Sequence, residues 1–422
     1  MIDKQTARKI HLFMRFCKLC FFFTAVVLIS CGGGRTAQIW TDRPELALYA
    51  EYFNAAQNQY KVNVRYMEFP TEEIKRVSIP DLIIASWLRN SSTSANFIKL
   101  DNLFGSNKLS RNAFYPHLLA LGRENRNQFL LPVSFNIPAL IFSKDREQTL
   151  SSQFTIDFEE IKDLSHGFNV QSRGAFTRMG FSPLWNDNFL FTLAVLSDAS
   201  FREAESLSWD AEALEQSMVF INDWTNKINS GNLMEEEFTF KYFVEPVERL
   251  IQTGRIFFSY IDSSDLFILS QDTKNLLDFR WIMEQNRIPI TEDLVYLGIP
   301  KGAKSQTAAR TFILWFFRTE NQRRLLEYFR INRINENIFG ICGGFSALST
   351  VTDQVFPLFY PELLGRMPPS ENFMQPNILP RNWGTIKERV ILPYLHERAR
   401  VASAEDTSAL ERRLAEWMRM NR

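Results

Sequence analysis

Four short stretches of the chain set an aromatic ring beside amide, carboxylate or guanidinium side chains. They are Trp40 with Asp42 and Arg43, Trp87 with Arg89 and Asn90, Trp185 with Asn186 and Asp187, and Tyr260 with Asp262 and Ser263. That combination suits a polyhydroxylated solute, because a sugar presents CH faces to aromatic rings and hydroxyls to polar side chains. Each ring has an equally ordinary alternative as core, so the elements around it must decide. Catalysis has thinner support. His117, His166 and His396 are scattered, and H-E-x-x-H, paired Cys/His spacing, Gly-Lys-Ser/Thr after a glycine loop, G-x-G-x-x-G and G-x-S-x-G are all absent. Asp262 and Asp265 could supply part of a carboxylate pair for glycoside hydrolysis. Three residues apart with two serines between, they read better as caps of a following helix. No enzyme activity, metal or cofactor is expected.

Stepping along the chain, residues 19–31 form an apolar run preceded by Lys4, Arg8, Lys9, Arg15 and Lys18. At this length it falls short of the roughly 20 residues a bilayer span needs and reads as an export signal. Its end, Leu28-Ile29-Ser30-Cys31 followed by Gly32, Gly33 and Gly34, resembles the lipobox of bacterial lipoproteins. The resemblance implies cleavage after residue 30, acylation of Cys31 and a glycine stalk over 31–34; an uncleaved anchor helix is the alternative. Either way, the rest of the chain is expected outside the cytoplasm, in the cell envelope and close to a membrane.

Loss of residues 1–30 leaves 392 residues, which suits two lobes better than one core. The 48 basic and 48 acidic residues of the whole chain become 43 and 47, because the leader takes five basic residues and Asp3 with it. No basic field for nucleic acid remains. Cys17 and Cys20 leave with the leader and Cys31 carries lipid, so Cys342 alone remains and no internal disulfide can form. The 38 Phe, 9 Trp and 11 Tyr must supply the core.

A strand is expected at Ala37–Trp40, then a helix capped by Thr41 or Asp42 with Pro44 in its first turn and Leu46, Tyr49, Phe53 and Ala56 on one face. Alternation over residues 61–67 and the apolar run Asp81–Ser86 predict two more strands. This β-α-β-α-β opening makes an open α/β sheet, with Trp40–Arg43 and Trp87–Asn90 both beyond strand carboxyl ends, facing one crevice. Further on, residues 128–143 hold two strand-like pieces joined by a polar, proline-bordered centre. Residues 187–230 read as mainly helical, 254–260 and 279–283 as strands, 304–329 as two helices broken near 318–321, and 403–420 as a last helix.

Three of these segments are similar to a known family. Pro80-Asp81-Leu82-Ile83-Ile84-Ala85-Ser86 resembles a family strand whose following loop touches ligand. Residues 129–145, ending Phe142-Ser143-Lys144-Asp145, resemble its first crossover, and residues 308–322 its paired helices. The family is that of the extracytoplasmic solute-binding proteins of ABC importers, in the carbohydrate cluster that includes the maltose-binding type. The resemblance implies an α/β, two-lobed periplasmic-binding-protein fold with a ligand cleft and three crossings, near Phe135, Trp281 and Thr319. Residues 35–135 plus 284–319 would form the N-lobe, and 136–283 plus 320–422 the C-lobe. It further implies capture of a sugar or oligosaccharide, delivery to the permease subunits, and attachment to a membrane through the lipid. The expected ligand residues are Trp40, Asp42, Arg43, Trp87, Arg89, Asn136, Trp185, Asn186, Tyr260, Asp262 and Phe345, with Asn136 also readable as a hinge residue and Gly343–Ser346 as a tight turn. Gly254–Tyr260 departs from the family by placing Phe257 and Phe258 where small residues are usual. A surface or structural lipoprotein with this fold and no transport role is the alternative.

Overall fold

The computed structural model describes residues 35–71, 73, 74, 78–205, 207–401 and 409–420. The expected leader, the expected acylated Cys31 and the expected glycine stalk lie outside the described residues. Among the described residues, no helix is long and apolar enough to cross a membrane.

Two sheets organise the chain. The first has six strands: β1 (Thr36–Thr41), β2 (Lys61–Tyr66), β3 (Leu82–Ala85), β4 (Leu131–Phe135), and two that return much later in sequence. The second is built on β5 (Pro138–Ser143), β6 (Thr155–Ile156), β7 (Phe258–Asp262) and β8 (Leu277–Ile282). The late strands β9 (Val295–Gly298) and β10 (Phe345–Ser346) complete the first sheet, whose order is β10-β4-β9-β3-β1-β2. β1 runs parallel to β2 and β3, whereas β9 and β10 are antiparallel to their neighbours. The second sheet has the order β7-β5-β8-β6. β3 and β4 are buried at every position, as expected for strands covered on both faces.

Helix α1 (Leu46–Ala56) starts where the apolar spacing predicts, and Leu46, Tyr49, Ala50 and Phe53 face the core. Its capping differs from expectation. No side chain caps it; Thr41 Oγ1 instead accepts from the Arg43 amide at 2.9 Å, and the Asp42 carboxylate accepts from the Ser86 amide at 3.0 Å. Asp42 thus ties two strand ends together. The second lobe wraps its sheet with α2 (Phe158–Phe168), α3 (Asp187–Leu196), α4 (Ala211–Lys227) and α5 (Asn232–Tyr242), around a core containing Phe181, Phe189 and Trp224. Helices α6 (Gln306–Phe316) and α7 (Thr319–Ile331) follow β9, and α8 (Leu392–Ala399) and α9 (Ala409–Met420) close the chain against the second core.

The chain passes between lobes at three places that lie side by side. The first is Asn136–Ile137, between β4 and β5. The second is Thr291–Leu294, between the second sheet and β9, a little later than the expected position at Trp281. The third differs most. Helix α7 packs Phe329 on Tyr49 and Tyr328 on Tyr52 of α1, and β10 pairs with β4, so the chain stays with the first sheet well beyond residue 319. It leaves only after residue 348 and reaches the second lobe through Phe373–Met374, which pairs in parallel with Ile288–Pro289. The apolar faces of α6 and α7 both need the α1 surface, which a boundary at 319 would divide. Hydrogen bonds stitch the crossings together: the Thr291 amide to the Asn136 carbonyl at 2.9 Å, and the Ile290 amide to the Met374 carbonyl at 3.0 Å.

Behind these crossings the lobes share a dry seam of rings. Phe345 lies 5.6 Å from Phe135, 5.9 Å from Phe267 and 6.1 Å from Trp281 between ring centroids, and all four are buried. Asp81 performs a similar joining task inside the first lobe. Its carboxylate accepts from the amides of Gln38 at 2.9 Å, Lys304 at 2.8 Å and Ser305 at 2.6 Å, binding β1 and β3 to the start of α6. An Asp81→Ala variant strands three N–H groups, that of Ser305 buried and those of Gln38 and Lys304 partly so, and a buried group costs about 1–3 kcal/mol when unpaired. With partial relaxation, chemical denaturation is expected to show a loss of about 2–4 kcal/mol.

Candidate functional site

In front of the crossings lies a cavity of about 360 Å³ between the lobes, within the roughly 300–1,000 Å³ range of small-molecule sites. The first lobe contributes Trp87, at the carboxyl end of β3. The second contributes Tyr260 and Asp262 from the end of β7, and Asn188 and Thr192 from the first turns of α3. The three crossings supply Asn136, then Thr291, Glu292 and Asp293, then Gln375 and Asn377. Lys387 and Glu388 approach from the turn of helix before α8.

Trp87 holds a backbone φ of 60°, a left-handed conformation uncommon for a bulky residue. It packs against the second lobe's core and faces Gly384, where an added methyl would stand 3.7 Å from the indole Nε1. A second contact spans the lobes close by: the Ser91 amide and hydroxyl donate to the two oxygens of Glu203 at 2.7 and 2.9 Å. The lobes are therefore closed over the cavity. Asn136 is fixed from both sides, its Nδ2 donating to the Gly343 carbonyl at 3.0 Å and its Oδ1 accepting from Ser263 Oγ at 2.7 Å. It ties the first crossing to both lobes and also lines the cavity.

The electrostatics centre on Asp262. Tyr260 Oη donates to Asp262 Oδ1 at 2.8 Å and lies 3.3 Å from Thr192 Oγ1. Burial raises the Asp262 carboxyl to about 7, with Asp293 and Glu292 pushing the same way and the Tyr260 hydrogen bond and Lys387 opposing. Burial, then the Asp262 charge, holds the Tyr260 phenol well above its ordinary range. Glu292 pairs with Lys387, whose ammonium also sits 4.3 Å from the Phe191 ring centroid. Asp293 Oδ1 accepts from Thr291 Oγ1 at 2.6 Å. Asp262 does not cap the helical turn that follows it, and Asp265 points to solvent rather than into the cavity, so the two form no carboxylate pair.

Of the residues expected to hold ligand, the cavity gathers Trp87, Asn136, Tyr260 and Asp262. Arg89 borders only a small recess beside Trp87, with its Nε donating to the Leu121 carbonyl. The others are structural. Trp40 is 2 % exposed because it lies inside β1, where the side chain packs into the core. Asp42 and Arg43 pair with each other at 3.3 Å, and Arg43 also donates to Ser86 Oγ at 2.5 Å. Burial raises the Asp42 carboxyl, opposed by Arg43. Trp185 stacks on Phe238 at 5.8 Å, and Asn186 caps α3 by accepting from the Asn188 and Phe189 amides. Phe345 is fully buried in β10.

Sequence reasoning missed Thr192, Glu292, Asp293, Gln375, Asn377 and Lys387. A signal existed for most of them: Pro289–Asp293 and Gln375–Asn377 repeat the polar, proline-bordered pattern that marks Asn136. A groove of about 600 Å³ edged by Tyr115, Asp353 and Met367 is larger, but it is more open to solvent and carries no tryptophan.

The Asp262 titration yields a signed expectation. Its carboxyl ionises near 7 in the folded chain against an ordinary 3.8, so stability present at low pH is lost progressively as pH rises from about 4 to 7. Asp262→Asn keeps an acceptor for Tyr260 and removes the ionisation. Thermal unfolding of the ligand-free protein is expected to show the variant about 2–4 kcal/mol more stable than wild type at pH 8, with little difference at pH 4.

No known family profile matches the chain, and no curated protein sequence does. Solved structures do match its fold. An ABC substrate-binding protein from Listeria monocytogenes in complex with cycloalternan aligns with a TM-score of 0.60 at 13% identity, covering 92% of this chain and 98% of that one. The GacH receptor of Streptomyces glaucescens, solved unliganded and with acarbose, aligns at 0.60 and 12% identity over 91% and 97% of the two chains. A cyclic alpha-maltosyl-1,6-maltose binding protein from Arthrobacter globiformis aligns at 0.60 and 13% identity over 91% and 97%. The chain has the two-lobed α/β fold of these solute-binding proteins along nearly its whole length.

Proposed function

We propose that the chain is the solute-binding component of an ABC importer, taking a sugar or oligosaccharide into the interlobe cavity and presenting the closed form to the permease. The observation that carries this is the cavity itself. Trp87 enters from one lobe, and Tyr260, Asp262 and Thr192 from the other, around crossings rich in amide and carboxylate groups. Rings of this kind stack on sugar CH faces, and the amides and carboxylates take hydroxyls. Because both lobes contribute, ligand touches all its partners only in the closed form and selects that conformer.

Residues 1–30 act as the export signal in this reading, and the acyl groups on Cys31 keep the protein beside its permease, raising its effective concentration there. Several acyl chains hold firmly where a single one binds weakly. Cys31→Ser is expected to move the protein from the membrane to the soluble fraction on cell fractionation. Retention of that variant on the membrane contradicts the anchor.

The binding claim is tested by thermal unfolding of the purified protein against neutral and aminated mono- and oligosaccharides, amino acids and peptides. A ligand at 100 times its Kd adds about 2.7 kcal/mol. A sugar is expected to stabilise the protein, and Trp87→Ala to raise its Kd at least tenfold, about 1.4 kcal/mol, with Trp87→Phe recovering part of the loss. No stabilisation by any carbohydrate contradicts the reading.

A further inference from the structure

The charges facing the cavity do not balance. Asp262, Glu292, Asp293 and Glu388 line it, against Lys387 alone. Lys387 is taken by its ion pair with Glu292. Asp262 receives one hydrogen bond, from the Tyr260 phenol, and Asp293 one, from the Thr291 hydroxyl. Among the described residues no basic side chain forms an ion pair with either. Two guanidinium groups stand nearby and neither lines this cavity: Arg43, which feels the Asp293 charge, is bonded to Asp42 and Ser86, and Arg89 is bonded to the Leu121 carbonyl.

Carboxylates gathered in a partly enclosed space repel one another and are costly to desolvate unless a positive charge joins them. Four routes to that charge exist: a protein cation, a metal ion, a proton or the ligand. The first is partial: Lys387 acts on Asp262 and Arg43 on Asp293, but each is already paired with a nearer carboxylate, Glu292 and Asp42 respectively. No group of three carboxylate, histidine or cysteine side chains among the described residues converges closely enough to hold a metal ion. A proton on Asp262 relieves the strain in the empty site, in keeping with its raised pKa, but leaves half-buried Asp293 with only the already engaged Arg43 as counter-charge. The ligand remains. The walls suit a cation as well as a sugar ring, because Trp87, Phe191, Phe201 and Tyr260 line the same space and aromatic faces attract ammonium groups.

We propose that the solute is an amine-bearing carbohydrate, whose protonated amino group sits against Asp262 and Asp293 while Trp87 takes a face of the sugar ring. This rests on the carbohydrate reading above and narrows it. The cavity is the site; the unmatched carboxylates decide which sugar it prefers.

The test is titration calorimetry of the full chain, purified in detergent, with probes that differ only at the 2-position of each sugar unit. Glucosamine, galactosamine and chitosan oligomers are each compared with the hydroxyl parent and the N-acetyl derivative, which lack the charge. At least one amine is expected to bind ten times or more tighter than both its neutral counterparts. Asp262→Asn and, separately, Asp293→Asn are expected to weaken that amine at least tenfold and to shrink its advantage over the hydroxyl sugar, with thermal unfolding showing that each variant is folded. A neutral sugar that binds as tightly as its amine overturns this inference and leaves the carbohydrate reading standing. Absence of binding by every carbohydrate, neutral or aminated, removes both. The wild-type comparison decides the matter even if a variant fails to fold.

Discussion

The lobes meet on two surfaces of opposite character, and the rest of the structure follows from that division. Behind the crossings, Phe135, Phe267, Trp281 and Phe345 pack into one buried cluster. Dense apolar packing resists separation because every displaced ring loses contacts that nothing replaces. In front, the contact is polar and small: Trp87 on Gly384, and Ser91 on Glu203. Opening the front costs hydrogen bonds that water can substitute. Asn136 stands at the boundary, its amide bonded to Gly343 on one side and Ser263 on the other.

Three aspartates, two buried and one half-buried at the cavity wall, show how environment assigns role. Asp81 accepts three backbone N–H groups and is fully satisfied. Asp278 lies between Arg280 and Arg366, with bonds of 2.7 and 2.6 Å; their hydrogen bonds outweigh burial and hold its carboxyl below the ordinary value. Asp262 has one phenol donor and two carboxylates nearby, and its carboxyl is raised to about 7. The first two are matched by the protein and serve the fold. The third is left under-matched at the wall of a cavity, which is the pattern expected of groups that complete their partners with a ligand.

Much of the architecture is readable from spacing alone. The strands at 36–41, 61–66 and 82–85, helix α1 and the α6–α7 pair lie where periodicity puts them. The lining of the cavity was legible where a residue stands just past a strand end or at it, as at Trp87 and Tyr260–Asp262. It failed where the same pattern began a residue or two earlier: Trp40 is still inside β1, so the pleat turns its ring into the core. Phe345 was misplaced for a related reason, since Gly343 and Gly344 form the turn while the phenylalanine already belongs to β10. Glu292, Asn377 and Lys387 come together only because three distant crossings lie side by side. The boundary near residue 319 went astray because α7 shares its aromatic partners with α1, a tertiary fact that no local pattern carries.

The central claim is that the cavity between Trp87 and Asp262 holds a carbohydrate. A crystal structure grown at saturating concentration of a carbohydrate that stabilises the protein tests it most directly. The account predicts a sugar ring against the Trp87 indole, with a polar group of the sugar within hydrogen-bond distance of Asp262, and the lobes closed as described. A sugar seated elsewhere, such as the groove beside Tyr115 and Asp353, with this cavity holding only solvent, contradicts it.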